Sequence, residues 1–66
     1  MPVITVDIQS MPHEDKKTLI AALTTSAAQA TRIPEASFII LVNEYPEDAI
    51  GIGGRTLKEV KAARMA

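Results

Sequence analysis

Two β-prone segments separated by one helix-length segment constrain the fold of this chain more than any other feature. Residues 2–9 alternate, with Ile4, Val6 and Ile8 on one face and mostly polar side chains on the other. This alternation is typical of a strand with one wetter face. Residues 38–42 form a continuous apolar run, which is typical of a strand covered on both faces in a parallel sheet. The sequence therefore predicts two strands of one parallel sheet.

The segment between the two strands has the marks of a long helix. Pro12 suits the first helical position, and Glu14 and Asp15 follow it, where the helix dipole favours negative charge. Apolar residues recur at helical spacing to about Thr31, namely Leu19, Ile20, Leu23, Ala27 and Ala30. Pro34 ends the helix, because the residue before a proline disfavours the helical backbone. Strand, helix and strand together predict a βαβ unit with parallel neighbouring strands.

The rest of the chain predicts a turn, a hairpin and a short terminal element. Residues 43–48 are polar and predict a turn. The glycines of residues 51–54 predict a tight hairpin or a close approach of the backbone to another chain. Residues 56–66 are compatible with a short helix that carries Leu57, Val60 and Ala63 or Arg64 on one side. The predicted fold class is α/β (α+β), with one βαβ unit and a C-terminal glycine-rich hairpin in a single domain, residues 1–66.

The small size of the chain predicts that it assembles into oligomers. A chain of 66 residues buries only about 60% of the surface that its unfolded form exposes. Small domains usually add disulfides, a metal ion or oligomerisation. The sequence has no cysteine and only one histidine, which excludes disulfides and a multi-histidine metal site within one chain. Because 47% of the residues are hydrophobic, we expect part of this surface to be buried between subunits.

Charge and hydropathy argue against several classes of partner. The formal net charge is −1, and no basic patch stands out, so we expect no nucleic-acid or anionic-membrane partner. No apolar run approaches the ~20 residues of a membrane span, and no signal-peptide pattern is visible. We therefore expect a cytoplasmic protein. Since no Lys-Ser/Thr pair follows the glycines of residues 51–54, we reject a phosphate loop, and we expect no cofactor.

Four short segments are each weak signals but form a specific combination. They are Met1-Pro2 before an alternating strand, Lys-Lys-Thr-Leu-Ile at residues 16–20, Pro34 before an apolar strand that ends in Asn43-Glu44, and Gly-Ile-Gly-Gly at residues 51–54. In this order and at this length they resemble the 4-oxalocrotonate tautomerase family, and the similarity covers nearly the whole chain.

The resemblance implies an enzyme whose base is the amino-terminal proline. It implies that the mature chain begins at Pro2, that this secondary amine is the general base, and that substrates are enol or keto acids. It also implies a homohexamer, a trimer of dimers, with its sites at subunit boundaries. Proton transfer beside a carbonyl needs a base with a pKa near neutrality. A partly buried terminal amine meets this need, because desolvation lowers its pKa.

The chain departs from the family pattern at the positions that bind substrate. Well-known members carry one arginine in the loop after the first strand and another near the start of the second long strand. Here the loop, residues 9–12, has no arginine, and the second position aligns with Ile39. The usual aromatic wall residue corresponds to Ile50. Arg55, directly after the glycines, is our candidate for a substitute cation, and a solvated hairpin arginine is the alternative.

Three further observations concern polar residues that are not among the candidate substrate-binding positions. Tyr45 has a hydroxyl that can donate a hydrogen bond, although an apolar interface contact is the expected role. Glu44 and Asp48 lie in the predicted polar turn, where we expect both to be solvated. Arg32 is expected to complement the C-terminus of the helix.

The sequence leaves three functional hypotheses, of which an isomerase leads. In that hypothesis Pro2 interconverts the enol and keto forms of a small 2-oxo acid, and Arg55, Ile39 and Ile50 contact the substrate. The first alternative is a dehalogenase or decarboxylase on the same scaffold, with Pro2 as a protonated acid. The second is a catalytically inactive oligomeric βαβ module. Activity that depends on Pro2 separates the enzymes from the inactive module.

Overall fold

The computed structural model describes residues 1–65, and its centre is a two-stranded parallel sheet. Strand β1, Val3–Gln9, pairs in register with strand β2, Ile39–Tyr45. Helix α1, His13–Thr31, connects the two strands and lies on one face of the sheet. A one-turn 3-10 helix, Glu35–Ser37, leads from the end of α1 into β2. The predicted βαβ unit with parallel strands is therefore confirmed.

The second strand is longer than its apolar run predicts. Residues 43–45 continue β2 instead of beginning a turn, because they pair with the last three residues of β1, residues 7–9. The turn begins only at Pro46 and contains the 3-10 helix Glu47–Ala49. The prediction of a polar turn over residues 43–48 is thus wrong at its start. Pairing with a seven-residue neighbour extends the strand beyond the point where its apolar pattern stops.

Helix α1 begins one residue later than predicted and covers a narrower stripe. Pro12 is the residue before the helix, with an extended backbone, and Glu14 and Asp15 lie in the first turn as expected. The half-buried stripe contains Lys16, Leu19, Leu23 and Ala27, whereas Ile20 and Ala30 are exposed. Only two strands lie beneath the helix, so a narrow part of its surface is covered.

The glycine-rich segment forms the predicted hairpin. Strand β3, Gly51–Ile52, pairs antiparallel with strand β4, Arg55–Thr56. Gly53 and Gly54 make the two-residue turn with φ of 60° and 85°. Both values lie in the left-handed region that favours glycine, as two-residue hairpin turns require.

Helix α2, Leu57–Met65, follows the hairpin directly, and Ala66 lies outside the described residues. A reciprocal cap fixes its start. The backbone N–H of Glu59 donates to Oγ1 of Thr56 at 3.2 Å, and the N–H of Thr56 donates to Oε1 of Glu59 at 3.2 Å. Thr-x-x-Glu is the signature of such a capping box. Leu57, Val60 and Lys61 are half-buried, whereas Ala63 and Arg64 are exposed, so only part of the predicted side is covered.

The part of the chain whose side chains the structure describes contains no fully buried hydrophobic core. No residue among residues 1–64, whose side chains the structure describes, is buried. The face of the sheet opposite α1 is open, with Val3 54% and Leu41 50% exposed. The expectation that β2 is covered on both faces therefore does not hold within one chain. The radius of gyration is 15.3 Å, whereas a compact domain of this length would have about 11 Å.

None of the helices that the structure describes combines the length and the apolar character that a membrane crossing requires.

Candidate active site

Pro2 lies at the start of β1 and is half-buried. Its carbonyl oxygen accepts a hydrogen bond from the backbone N–H of Ile39 at 3.0 Å, which extends the parallel ladder by one residue. Its neighbours along and across the sheet, Val3 and Ile39, are apolar and exposed on the open face. The structure thus brings two predicted site residues, Pro2 and Ile39, together at the same end of the sheet.

A cavity of about 350 Å³ lies at the opposite end of the sheet, where both strands end. Its wall contains Ile50, the third predicted site residue. The other lining residues come from the two strand ends and the start of α2, namely Asp7, Ile8, Gln9, Tyr45 and Leu57. Because β1 spans seven residues at about 3.3 Å each, this cavity is roughly 20 Å from Pro2 of the same chain.

A polar cluster around Lys61 borders this cavity. The ammonium of Lys61 donates to Oε1 of Gln9 at 3.1 Å and to Oε1 of Glu47 at 3.0 Å. The side chains of Lys61 and Glu47 remain 40% and 43% exposed, so this ion pair is open to solvent. The cluster joins α2, the end of β1 and the turn after β2 at one point.

A second polar cluster lies on the open face of the sheet. Oδ1 of Asp7 accepts hydrogen bonds from the hydroxyl of Tyr45 at 3.0 Å and from Nδ2 of Asn43 at 3.1 Å. Donation to this carboxylate raises the pKa of Tyr45 above its ordinary value, because ionisation would place a phenolate beside a negative charge. We expected Tyr45 to make only an apolar interface contact, but its hydroxyl also donates a hydrogen bond to Asp7.

Glu44 points to the helix side of the sheet and forms an ion pair with Lys16 of α1. The bond from this ammonium lowers the pKa of Glu44, while burial opposes the shift. The expectation of a fully solvated Glu44 is wrong, because residue 44 is part of β2 and only 23% of its side chain is exposed. Asp48, in contrast, is exposed as expected. The ion pair ties the start of α1 to the end of β2.

Arg55 lies on strand β4 and is exposed, and it does not line the cavity that contains Ile50. Among the described residues its side chain has neither an ion pair nor a hydrogen-bond acceptor. Sequence reasoning missed Gln9 and Lys61, which the fold brings together across 52 positions of sequence. The spacing of Leu57 and Val60 and the Thr-x-x-Glu signal at residues 56–59 predict the helix that carries Lys61, but not its contact with Gln9.

Comparison with known proteins identifies the family to which this arrangement belongs. Residues 2–60 match the family model of the tautomerase enzymes. The chain is a member of the tautomerase family. Among related tautomerases, a probable tautomerase of Bacillus cereus is 27% identical over 60 residues, which is 89% of this chain and 98% of the relative.

Solved structures of 4-oxalocrotonate tautomerase homologues share the fold of this tautomerase-family chain. The apo unfused 4-OT is 32% identical, with a TM-score of 0.82 over 89% of this chain and 98% of that one. TomN, a 4-oxalocrotonate tautomerase homologue in the tomaymycin biosynthetic pathway, is 27% identical, with a TM-score of 0.85 over 92% and 95% of the two chains. The predicted resemblance to this family is therefore confirmed, and so is the predicted fold class.

Proposed function

We propose that this chain is a tautomerase that interconverts the enol and keto forms of a small 2-oxo acid, with Pro2 as general base after removal of Met1. Membership of the tautomerase family supports an isomerase. The observation that carries the assignment of the base is the position of Pro2, half-buried beside apolar Val3 and Ile39 at the start of β1.

Removal of Met1 is a chemical requirement of this mechanism. With Met1 attached, the nitrogen of Pro2 is a tertiary amide without a basic lone pair. Without it, Pro2 carries a secondary amine. Terminal amines begin near a pKa of about 7.7–8.0, proline is intrinsically more basic, and partial burial lowers the pKa because desolvation disfavours the charged form. A base that titrates near neutrality suits proton transfer beside a carbonyl.

The reaction moves one proton and leaves the base unchanged. Neutral Pro2 accepts the hydroxyl proton of the enol, and the electron pair of that O–H bond forms the carbonyl. The electron pair of the C=C bond then takes a proton from the prolyl ammonium at carbon. One C=C bond is replaced by one C=O bond, and Pro2 returns to its neutral form.

We further propose that the working protein is a homohexamer, a trimer of dimers, with its sites at subunit boundaries. The exposed apolar side chains of Val3, Ile39 and Leu41 on the open face of the sheet support this proposal, and so does the lack of any buried residue among residues 1–64. Within one chain, Pro2 and the cavity at Ile50 lie roughly 20 Å apart. A second copy is therefore needed to bring a base to this cavity.

The substrate contacts that we propose are mostly apolar. Ile39, beside Pro2, and Ile50, in the cavity wall, would contact the carbon skeleton of the substrate. Arg55 is a candidate cation from the exposed hairpin. An apolar site with few cations favours a small acid with a single carboxylate.

The test of Pro2 begins with the intact mass of the protein, which we expect to lack methionine. Ketonisation of an enol 2-oxo acid such as phenylenolpyruvate is then followed by absorbance. We expect Pro2→Ala to lower the rate at least about tenfold, since general-base catalysis contributes on the order of 10²–10⁴. In addition, 3-bromopropynoate should inactivate the protein and add its mass to Pro2.

The matched control is the same chain with Met1 retained, produced in cells without methionine processing. It keeps the proline ring but loses the basic nitrogen, so we expect no general-base activity. Equal rates for the wild-type protein, Pro2→Ala and the Met1-retaining chain would refute Pro2 as the base. A wild-type protein that lacks methionine and still turns over no enol acid would favour the inactive βαβ module.

A further inference from the structure

The cavity at the end of the sheet has a volume and a lining that suit part of a small-molecule site. Its volume of about 350 Å³ lies at the lower end of the range typical of ligand pockets. Ile8, Ile50 and Leu57 supply apolar wall, and Gln9 supplies an amide. A wall of this kind receives a small carbon skeleton and orients it through few polar contacts.

Lys61 is not a lining residue of this cavity, but its ammonium contacts Gln9, which is. Its ammonium has three N–H donors, and Gln9 and Glu47 accept two of them. The third is available, because 40% of the Lys61 side chain is exposed. The contacts with Gln9 and Glu47 hold the ammonium beside a residue that lines the cavity, so it is oriented before any ligand arrives.

The unpaired edge of β1 offers a way to bring a base to this cavity. The sheet contains only β1 and β2, so β1 has one edge without a partner among the described residues. A second copy pairing with that edge about a two-fold axis would run antiparallel. The start of one β1 would then lie beside the end of the other, which places Pro2 of the second copy near Gln9 and the cavity.

We propose that Lys61 binds the carboxylate of the substrate in a site whose base is Pro2 of a second copy. This inference rests on the proposed tautomerase function and assigns the cation that the family pattern lacks in this chain. The substrate class follows from the local charges. Lys61 reaches the cavity through its contact with Gln9, whereas Asp7 lines the cavity and Glu47 pairs with Lys61, so two carboxylates lie close to this one cation. A second carboxylate on the substrate would meet repulsion, so the site selects a 2-oxo monocarboxylate with an apolar tail.

The test compares an acid with its neutral ester. The enol of phenylpyruvate carries the carboxylate, and the enol of methyl phenylpyruvate has the same skeleton without the charge. We expect Lys61→Met to raise KM for the acid about tenfold, because a charge-assisted bond is lost, and to leave KM for the ester nearly unchanged. Lys61→Arg should retain most of the affinity for the acid. Glu47→Gln should lower KM for the acid, since Glu47 competes for the ammonium.

Lys58→Met is the matched control, because Lys58 is an exposed lysine on the same helix without an ion pair among the described residues. Equal KM values for the acid in Lys61→Met and Lys58→Met would overturn the assignment of Lys61, while a loss of rate in Pro2→Ala would still support the tautomerase. The assignment would also be overturned if KM for the acid, but not for the ester, rose in Arg55→Met and stayed unchanged in Lys61→Met. That result would assign the carboxylate contact to Arg55.

Direct binding separates failure of this inference from failure of the proposed function. Calorimetry measures the affinity for phenylpyruvate whether or not the protein turns it over. Binding that Lys61→Met weakens about tenfold, without turnover in the wild type, would support a carboxylate site at Lys61 and refute the tautomerase. Absence of binding to the wild type, or binding that Lys61→Met leaves unchanged, would overturn the inference.

Discussion

At the scale of single residues, Tyr45 offers a direct test of the polar cluster on the open sheet face. Its hydroxyl donates to Oδ1 of Asp7, and this raises its pKa above the ordinary value of 10.0. Because the folded-state pKa is the higher one, the stability from this bond is complete below about pH 10. It is lost as the pH rises through the folded-state pKa.

We expect the phenol absorbance of the wild-type protein to titrate with a midpoint above pH 10.0. Asp7→Asn should shift the midpoint down toward the ordinary value, because it removes the negative charge that opposes ionisation. The readout is clean, since the sequence contains one tyrosine and no tryptophan. Asp48→Asn, which removes an exposed carboxylate elsewhere, is the control and should not move the midpoint. Identical midpoints for the wild type and Asp7→Asn would contradict the contact.

The candidate site was only partly predictable at this scale. Pro2, Ile39 and Ile50 were predicted through a family resemblance, and the structure places the first two side by side. Lys61 was not predicted, because its contact with Gln9 depends on where α2 packs after the hairpin. A lysine in the middle of a nine-residue helix carries no sequence signal for a partner that lies on the first strand.

At the scale of elements, the C-terminal end of α1 contains a backbone strain that a substitution can relieve. Arg32 adopts φ of 65°, and it is the only residue other than glycine with positive φ among residues 1–65. Its N–H donates to the carbonyl of Ala28 at 2.8 Å and ends the helix. Glycine is the residue that favours this position, since it has no Cβ to clash.

We expect Arg32→Gly to raise the free energy of unfolding by on the order of 1 kcal/mol. Arg32→Ala is the matched control, because it removes the same charged side chain but keeps the Cβ and therefore the strain. Urea denaturation at one fixed protein concentration measures both variants. If Arg32→Ala stabilises the protein as much as Arg32→Gly does, the gain comes from loss of the guanidinium and not from the backbone.

The elements themselves were predicted better than their limits. The period-two pattern of β1 and the helical spacing of α1 are local signals, and both elements appeared within one or two residues of the predicted bounds. The predicted end of β2 was wrong, because residues 43–45 do not continue its apolar pattern and form strand only through pairing with β1. Such pairing is a tertiary effect that the residues of β2 do not encode by themselves.

At the scale of the whole molecule, a single chain leaves an unusually large surface exposed. Its accessible surface is 4958 Å², whereas a compact protein of 7.1 kDa would expose about 4,100 Å². The excess lies partly on the open sheet face, where Val3, Ile39 and Leu41 are exposed. The sequence predicted this surplus of aliphatic surface from composition, but only the strand register shows that Val3, Ile39 and Leu41 lie together at one end of the open face.

This geometry predicts that folding and assembly are coupled through the open face. We expect the wild-type protein to sediment at six times 7.1 kDa at micromolar concentration, and its Tm to rise with protein concentration. Leu41→Asp places a charge on this face and should abolish the hexamer, with loss of far-ultraviolet helix signal because the apolar face is no longer covered. Lys58→Glu, an exposed charge reversal on α2, is the control and should sediment as the wild type. A wild-type monomer with a Tm independent of concentration would refute the assembly, and an intact Leu41→Asp oligomer would place the interface on another surface.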